Sequence, residues 1–179
     1  MTMATRVTIV ASARPATLEV AARWVWSWVR PFARAPRALY AQPFNSERFE
    51  RLERPRIGRV IGASAMGRMP GDEWSHRFLL RLEPGAGAPD GGCWIRLGDA
   101  GGDAPGAELS FTCGAAASVL HDAFLEAVRE GFADNGHLGP VGASLDRGCN
   151  VVTFTKQAVA GSLPPGAHAV AVGGGVCIQ

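Results

Sequence analysis

The stretch Ala107-Glu108-Leu109-Ser110-Phe111-Thr112-Cys113 alternates apolar and polar side chains, and soon after it the apolar spacing becomes that of Leu120, Ala123, Phe124, Ala127 and Val128. Successive side chains of a strand point to opposite faces, whereas residues three and four apart share one face of a helix. Residues 107–113 therefore read as a strand, and Ala116–Ala133 as a helix with Asp122, Glu126 and Arg129 on its wet side. Asn135-Gly136 marks the end of that helix.

Working outward toward the N-terminus, Ile57–Ala65, Ser75–Glu83 and Cys93–Gly98 read as further strands, separated by turn-rich pieces such as Pro84–Gly92 and Asp99–Gly106. Connections this short favour an antiparallel meander over parallel crossovers. Thr5–Ser12 opens the chain as a β-branched strand. Pro15 suits the first helical position of Ala16–Arg30, where Leu18, Ala21, Ala22, Val25 and Val29 form an apolar stripe and Pro31 and Pro36 stop the helix. A second, shorter helix is expected from a cap at Ser46, with Phe49 and Leu52 inward and Pro55 as its terminator. Asn150–Thr155, His168–Val172 and Val176–Ile178 supply the last strands. The expectation is a single α+β domain over residues 1–179. It has a mainly antiparallel sheet of five or more strands, with two main helices packed on one face.

At 179 residues and 47% hydrophobic content, one core is readily filled. The basic residues are 17 arginines and one lysine, Lys156, and the charge is uneven. Residues 1–81 carry 14 arginines against 6 acids, and residues 82–179 carry 4 basic against 10 acidic residues. Such asymmetry suits either a polyanion-binding half with an acidic docking half, or two halves that neutralise each other on folding. No run approaches the roughly 20 apolar residues of a membrane span. The apolar run Val7–Ala13 is too short for a signal peptide, so a cytoplasmic location and no membrane partner are expected. Cys93, Cys113, Cys149 and Cys177 are widely spaced, with no C-x-x-C pair. In a cytosolic chain they read as small buried hydrophobes, with neither disulfide nor metal.

The sharpest catalytic hint is Cys113, at a strand end just before a helix, with His121 after it. A thiol beside a helix N-terminus can lose its proton readily, and a nearby histidine can serve as base. The order resembles the Cys–His pair of bacterial toxin deamidases, although the gap here is only eight residues and Thr112 stands where that motif has Gly. His121 also lies at the margin of the apolar stripe, where a histidine needs no chemical role. Glu73 and His76, with Asp72 beside them, have the i, i+3 spacing of a helical ligand pair. A metal site needs a second such pair and the sequence has none, so no metal and no cofactor are expected. Gly173-Gly174-Gly175 lacks the Lys-Ser/Thr of a phosphate loop, and residues 62–67 miss a nucleophile elbow by one position. Turns explain both stretches.

Trp24, Trp26 and Trp28 are distributed around the first helix, and Trp24 with Val20 forms a second apolar patch away from the main stripe. Either further structure such as residues 37–44 covers Trp24, or the patch is a protein contact. Arginines 23, 30, 34 and 37 among these aromatics could stack nucleic-acid bases. No recognisable nucleic-acid module accompanies them, so nucleic acid is not the expected partner.

Ala11-Ser12-Ala13-Arg14-Pro15 with Leu18-Glu19-Val20-Ala21-Ala22-Arg23-Trp24 resembles the first strand and helix of a bacterial immunity-protein family, the one paired with restriction-endonuclease-fold polymorphic toxins. Leu109-Ser110-Phe111-Thr112-Cys113-Gly114 is similar to a central strand of that family, and Leu163-Pro164-Pro165-Gly166 with Gly173-Gly174-Gly175-Val176 to its closing turn and strand. Val152-Thr153-Phe154-Thr155 departs from it, standing where a Trp-rich stretch belongs. The resemblance implies a stoichiometric inhibitor whose partner is a cognate toxin and which needs no catalytic constellation. Inhibitors of nucleases often present acidic groups to a basic cleft, which steers association. Asp90, Asp99, Asp103 and Glu108 are the expected partner-binding residues here, with Trp24 as the alternative contact. The competing classes are an enzyme using Cys113 and His121, and an oligomeric assembly protein using the tryptophan helix. The sequence fixes no oligomeric state.

Overall fold

The computed structural model describes residues 4–34, 38–69, 73–82, 91–97, 105–130, 132–141, 152–156, 163 and 165–179. Strand β1 (Thr5–Ala11) leads into helix α1 (Leu18–Val29), followed by β2 (Leu39–Pro43), the two-residue β3 (Glu50–Arg51) and helix α2 (Arg54–Gly62). Next come β4 (Ala65–Met69), β5 (Glu73–Leu82), β6 (Gly91–Leu97), β7 (Ala107–Cys113) and helix α3 (Ala117–Arg129). The chain closes with β8 (Asn135–Pro140), β9 (Val152–Thr155), β10 (Ala169–Val172) and β11 (Gly175–Ile178).

Among the described residues the strands form one 11-stranded sheet, in the order β10-β11-β9-β8-β1-β7-β6-β5-β2-β3, with β4 paired to β5 off this path. Every pairing is antiparallel. On the edge of β5 opposite β6, β2 takes residues 78–82 and β4 takes residues 73–76. The fold is α+β and mainly sheet, as the switch of periods predicts, with α2 as a third, shorter helix.

The alternation that opens the sequence argument places Ala107, Leu109, Phe111 and Cys113 on the buried side of β7. Register carries that side across the sheet, with Val7 opposite Phe111, Ile9 opposite Leu109 and Cys93 opposite Leu109 from the other side. All three helices meet this face. Phe32, just beyond α1, sets its ring edge-on to Phe111 at 5.2 Å. On α2, the Ile61 carbonyl accepts a bond from His76 Nδ1 at 2.9 Å. Helix α3 lays Phe124 and Val128 over Gly136, where a Cβ would come within 2.9 Å of the Phe124 ring. The helices thus lie on one face of the sheet, and no described helix lies on the other.

Several local expectations are corrected. Residues 54–62 are helical, whereas Ile57–Ala65 read as a strand; Ile57, Val60 and Ile61 are its buried residues, a helical spacing. Pro55 opens that helix instead of ending one, because a missing N–H costs nothing in the first turn. No helix follows Ser46; that stretch turns and pairs through β3. In α1 the cap is Thr17, whose Oγ1 accepts from Val20 N at 3.2 Å, so Pro15 precedes the helix. Leu18 is 40% exposed while Trp28 is fully buried, so the stripe is rotated from the one expected. Asn135-Gly136 begins β8 instead of closing α3, and both β8 and β2 are strands the periodicity did not mark.

Gly173, at the first turn position between β10 and β11, has φ 56°, as a type II′ hairpin asks. Its Cα is pressed to the end of α3, where a Cβ would lie 2.9 Å from the Arg129 carbonyl oxygen. The triple glycine is thus a turn, as expected. Asp134 ties the strand ends together: Oδ2 accepts from Ser12 N at 2.7 Å, and Oδ1 lies 3.6 Å from Lys156 Nζ.

Candidate functional site on the open face of the sheet

Cys113 and His121 are not joined by a hydrogen bond among the described residues. Cys113 closes β7 on the helix-covered side and is buried. His121 faces the last strand instead: its Nε2 donates to Gln179 Oε1 at 2.8 Å, and Nδ1 lies 3.3 Å from Asp122 Oδ1. Gln179 Nε2 in turn donates to His168 Nε2 at 3.2 Å. The imidazole therefore fastens α3 to the β10–β11 hairpin.

The other expected residues are placed as follows. His76 lies on a strand, not a helix, and its ring is buried against α2; Asp72 is outside the described residues. Among the described residues no group of three or more His, Cys, Asp or Glu could hold a metal. Among the described residues Cys93, Cys113 and Cys177 are buried and form no disulfide, and Cys149 is outside the described residues. Burial, with Glu108 nearby, pushes the Cys93 thiol far up, and burial pushes Cys177 up to about 11. Trp24 is half-covered by Phe132, which stacks on it at 5.3 Å with an 18° interplanar angle. The stacking ring belongs to the segment after α3. Asp90, Asp99 and Asp103 are outside the described residues, which leaves Glu108 as the described member of the acidic set.

Glu108 points to the side of the sheet that no described helix covers, and the register shows what surrounds it. Across the strands, Val10, Glu108, Trp94 and Arg77 form one row. The next row is His137, Thr8, Ser110, Gly92, Leu79 and Gln42. Arg6 and Thr112 stand side by side in the row beyond. The centre of the middle row is small (Thr8, Ser110 and Gly92), while Glu108, Trp94 and Arg77 on one side and Arg6 on the other are long. A shallow pocket of about 510 Å³ results, with Gly92 and Ser110 on its floor and Trp94, Glu108, Arg77 and Arg6 around it. Thr8 and Ser110 face each other across the floor with hydroxyl oxygens 3.5 Å apart.

The face is rich in guanidinium groups. Arg6 and Arg77 are exposed, and neither makes an ion pair among the described residues. On the helix side, by contrast, Arg30 pairs with Glu126 and Glu130, and Arg34 with Glu126. The Arg96 guanidinium lies 5.9 Å from the Trp94 ring centre. Arg81 lies 4.4 Å from that of Phe49 and 5.8 Å from that of Tyr40, within cation–π range. Partial burial, with the positive charge of Arg6 nearby, holds the His137 imidazole below its ordinary range. A second shallow hollow of about 450 Å³, between α1 and α3, is lined by Arg30, Glu126 and Glu130, which already pair with one another.

Sequence reasoning did not mark Arg6, Arg77, Trp94, Gly92, Ser110 or Thr112. Their signal was the polar half of each strand's alternation, which acquires meaning only once the strands are in register. Comparison with family models, with curated proteins and with solved structures gave no match. Among the described residues no helix is long and apolar enough to cross a membrane.

Proposed function

We propose that this protein is a stoichiometric binding module that acts by occluding a partner protein, in the manner of an immunity protein neutralising a co-encoded toxin. The observation that supports this reading is the sheet face that no described helix covers, where Arg77 and Trp94 stand around a glycine-floored hollow. Arginine and tryptophan are the side chains that most often dominate binding energy at protein interfaces, and they do so around small pockets. A sheet of this size, with its described helices on one side, offers a rigid platform for such a contact. The residues with catalytic potential contribute nothing to that hollow: Cys113 faces the opposite side and His121 is tied to Gln179.

The reading is tested by co-expressing the tagged chain with the products of its neighbouring genes and analysing the purified complex. A one-to-one complex with a growth-inhibiting neighbour, stable through size-exclusion chromatography, is the expected result. Absence of any complex, together with substrate turnover that disappears in Cys113→Ala, would replace this reading with that of an enzyme.

A further inference from the structure

The geometry points to a particular chemistry for the occupant of the open face: we propose that it is an acidic segment of the partner protein that carries an aromatic side chain. This rests on the reading of the chain as a protein-binding module and specifies what it binds.

Gly92 sets the shape of the site. Its neighbours across the strands, Leu79 and Ser110, leave a step in the surface where every flanking row carries a large side chain. Trp94 follows two residues on along the same strand and the same face, roughly 7 Å away. An aromatic ring laid on Gly92 therefore meets the indole within the roughly 4.5–7 Å at which aromatic pairs attract.

Charge defines the rest of the segment. Arg77 sits directly across from Trp94 on β5, and Arg6 lies on β1 at the far side of the floor. Both are exposed and have no ion-pair partner among the described residues. A guanidinium offers paired donors that match a carboxylate, and such bonds are about twice as strong as neutral ones. Carboxylates on either side of the buried ring satisfy both arginines.

Glu108 decides between a peptide and a nucleic acid. It lies beside Trp94 in the same row and lines the same pocket. A phosphate backbone, charged at every nucleotide, would bring one of its anions against this carboxylate. A peptide can place a backbone N–H or a hydroxyl there instead.

The test uses fluorescence anisotropy with a labelled short peptide of alternating Glu and Phe. A peptide of alternating Lys and Phe and an oligothymidylate of equal length serve as comparisons. Saturable binding of the Glu-Phe peptide is expected, weakened roughly tenfold or more by Arg77→Glu and by Arg6→Glu and unchanged by Arg48→Glu. Circular dichroism checks each fold, and Arg77→Gln and Arg6→Gln give the same order of effect if a reversal does not fold. No saturable binding, tighter binding of either comparison probe, or an equal loss in Arg48→Glu would overturn the proposal. A partner complex that survives both reversals would overturn it while leaving the binding function intact. Peptide binding without any partner complex would do the opposite, leaving the pocket and removing the function.

Discussion

Trp24 and Phe132 stack at 5.3 Å, joining a ring on α1 to one just after α3. The second apolar patch of the tryptophan helix is thus partly covered from within the molecule, and its expected contribution is to stability. We expect Trp24→Ala and Phe132→Ala each to cost about 2–3 kcal/mol, less than a fully buried aromatic would. In urea titrations the double variant should fall short of additivity by about 1 kcal/mol. Partner binding by folded Trp24→Ala should equal that of the unaltered chain.

Gly173 offers a test of the turn it forms against Arg129. An alanine there needs a positive φ, and its Cβ would lie 2.9 Å from the Arg129 carbonyl oxygen. Gly173→Ala should lose about 1–2 kcal/mol or more by chemical denaturation. Gly174→Ala, which meets nothing within 4 Å, should be near neutral.

These two sites show where the sequence was readable and where it stopped being so. Residues 107–113 and the α3 stripe were legible because burial follows their local period, as was the glycine turn. Residues 57–61 were not: β-branched side chains suggested a strand, yet the same residues at helical spacing bury against β5. Asn135-Gly136 looks like a helix terminator in isolation and becomes a strand only through pairing with Ile9 and Val10. The open-face pocket lay beyond local reading for the same reason. Arg6, Arg77 and Glu108 come together only after β1, β7, β6 and β5 have found their register. His121 likewise suggested Cys113 by nearness in sequence, while its partner Gln179 lies far along the chain.

His137 should titrate below the ordinary histidine value of about 6.5, because partial burial and Arg6 both oppose its charge. In the folded state it binds its proton less readily than in the unfolded chain. Its share of stability is therefore complete above about pH 6.5 and is lost as pH falls through the lower folded value. Proton NMR titration of the His137 ring reads this directly. Arg6→Gln should move its midpoint upward, toward but not fully to the ordinary value, since burial remains.

The thiol of Cys177 is held up at about 11, against an ordinary value of 9.0. The unfolded chain gives up this proton first, so stability is unaffected below pH 9 and declines as pH rises from 9 toward 11. Because the thiolate is the reacting species, Cys93 and Cys177 should resist iodoacetamide at neutral pH in the native protein and react on unfolding. Peptide mass spectrometry after a timed pulse checks this. Rapid native alkylation of either would show that the β6 or β11 region opens far below the global unfolding free energy.

The most direct test of the proposed binding through the open sheet face is growth rescue against a growth-inhibiting neighbouring gene product by two folded variants compared with the unaltered chain. Ser110→Trp fills the pocket floor from the open side, whereas Cys113→Ala removes the candidate nucleophile from the covered side. The account predicts that Cys113→Ala protects as well as the unaltered chain and that Ser110→Trp fails to protect. Full protection by Ser110→Trp, with loss of protection in Cys113→Ala, would contradict it.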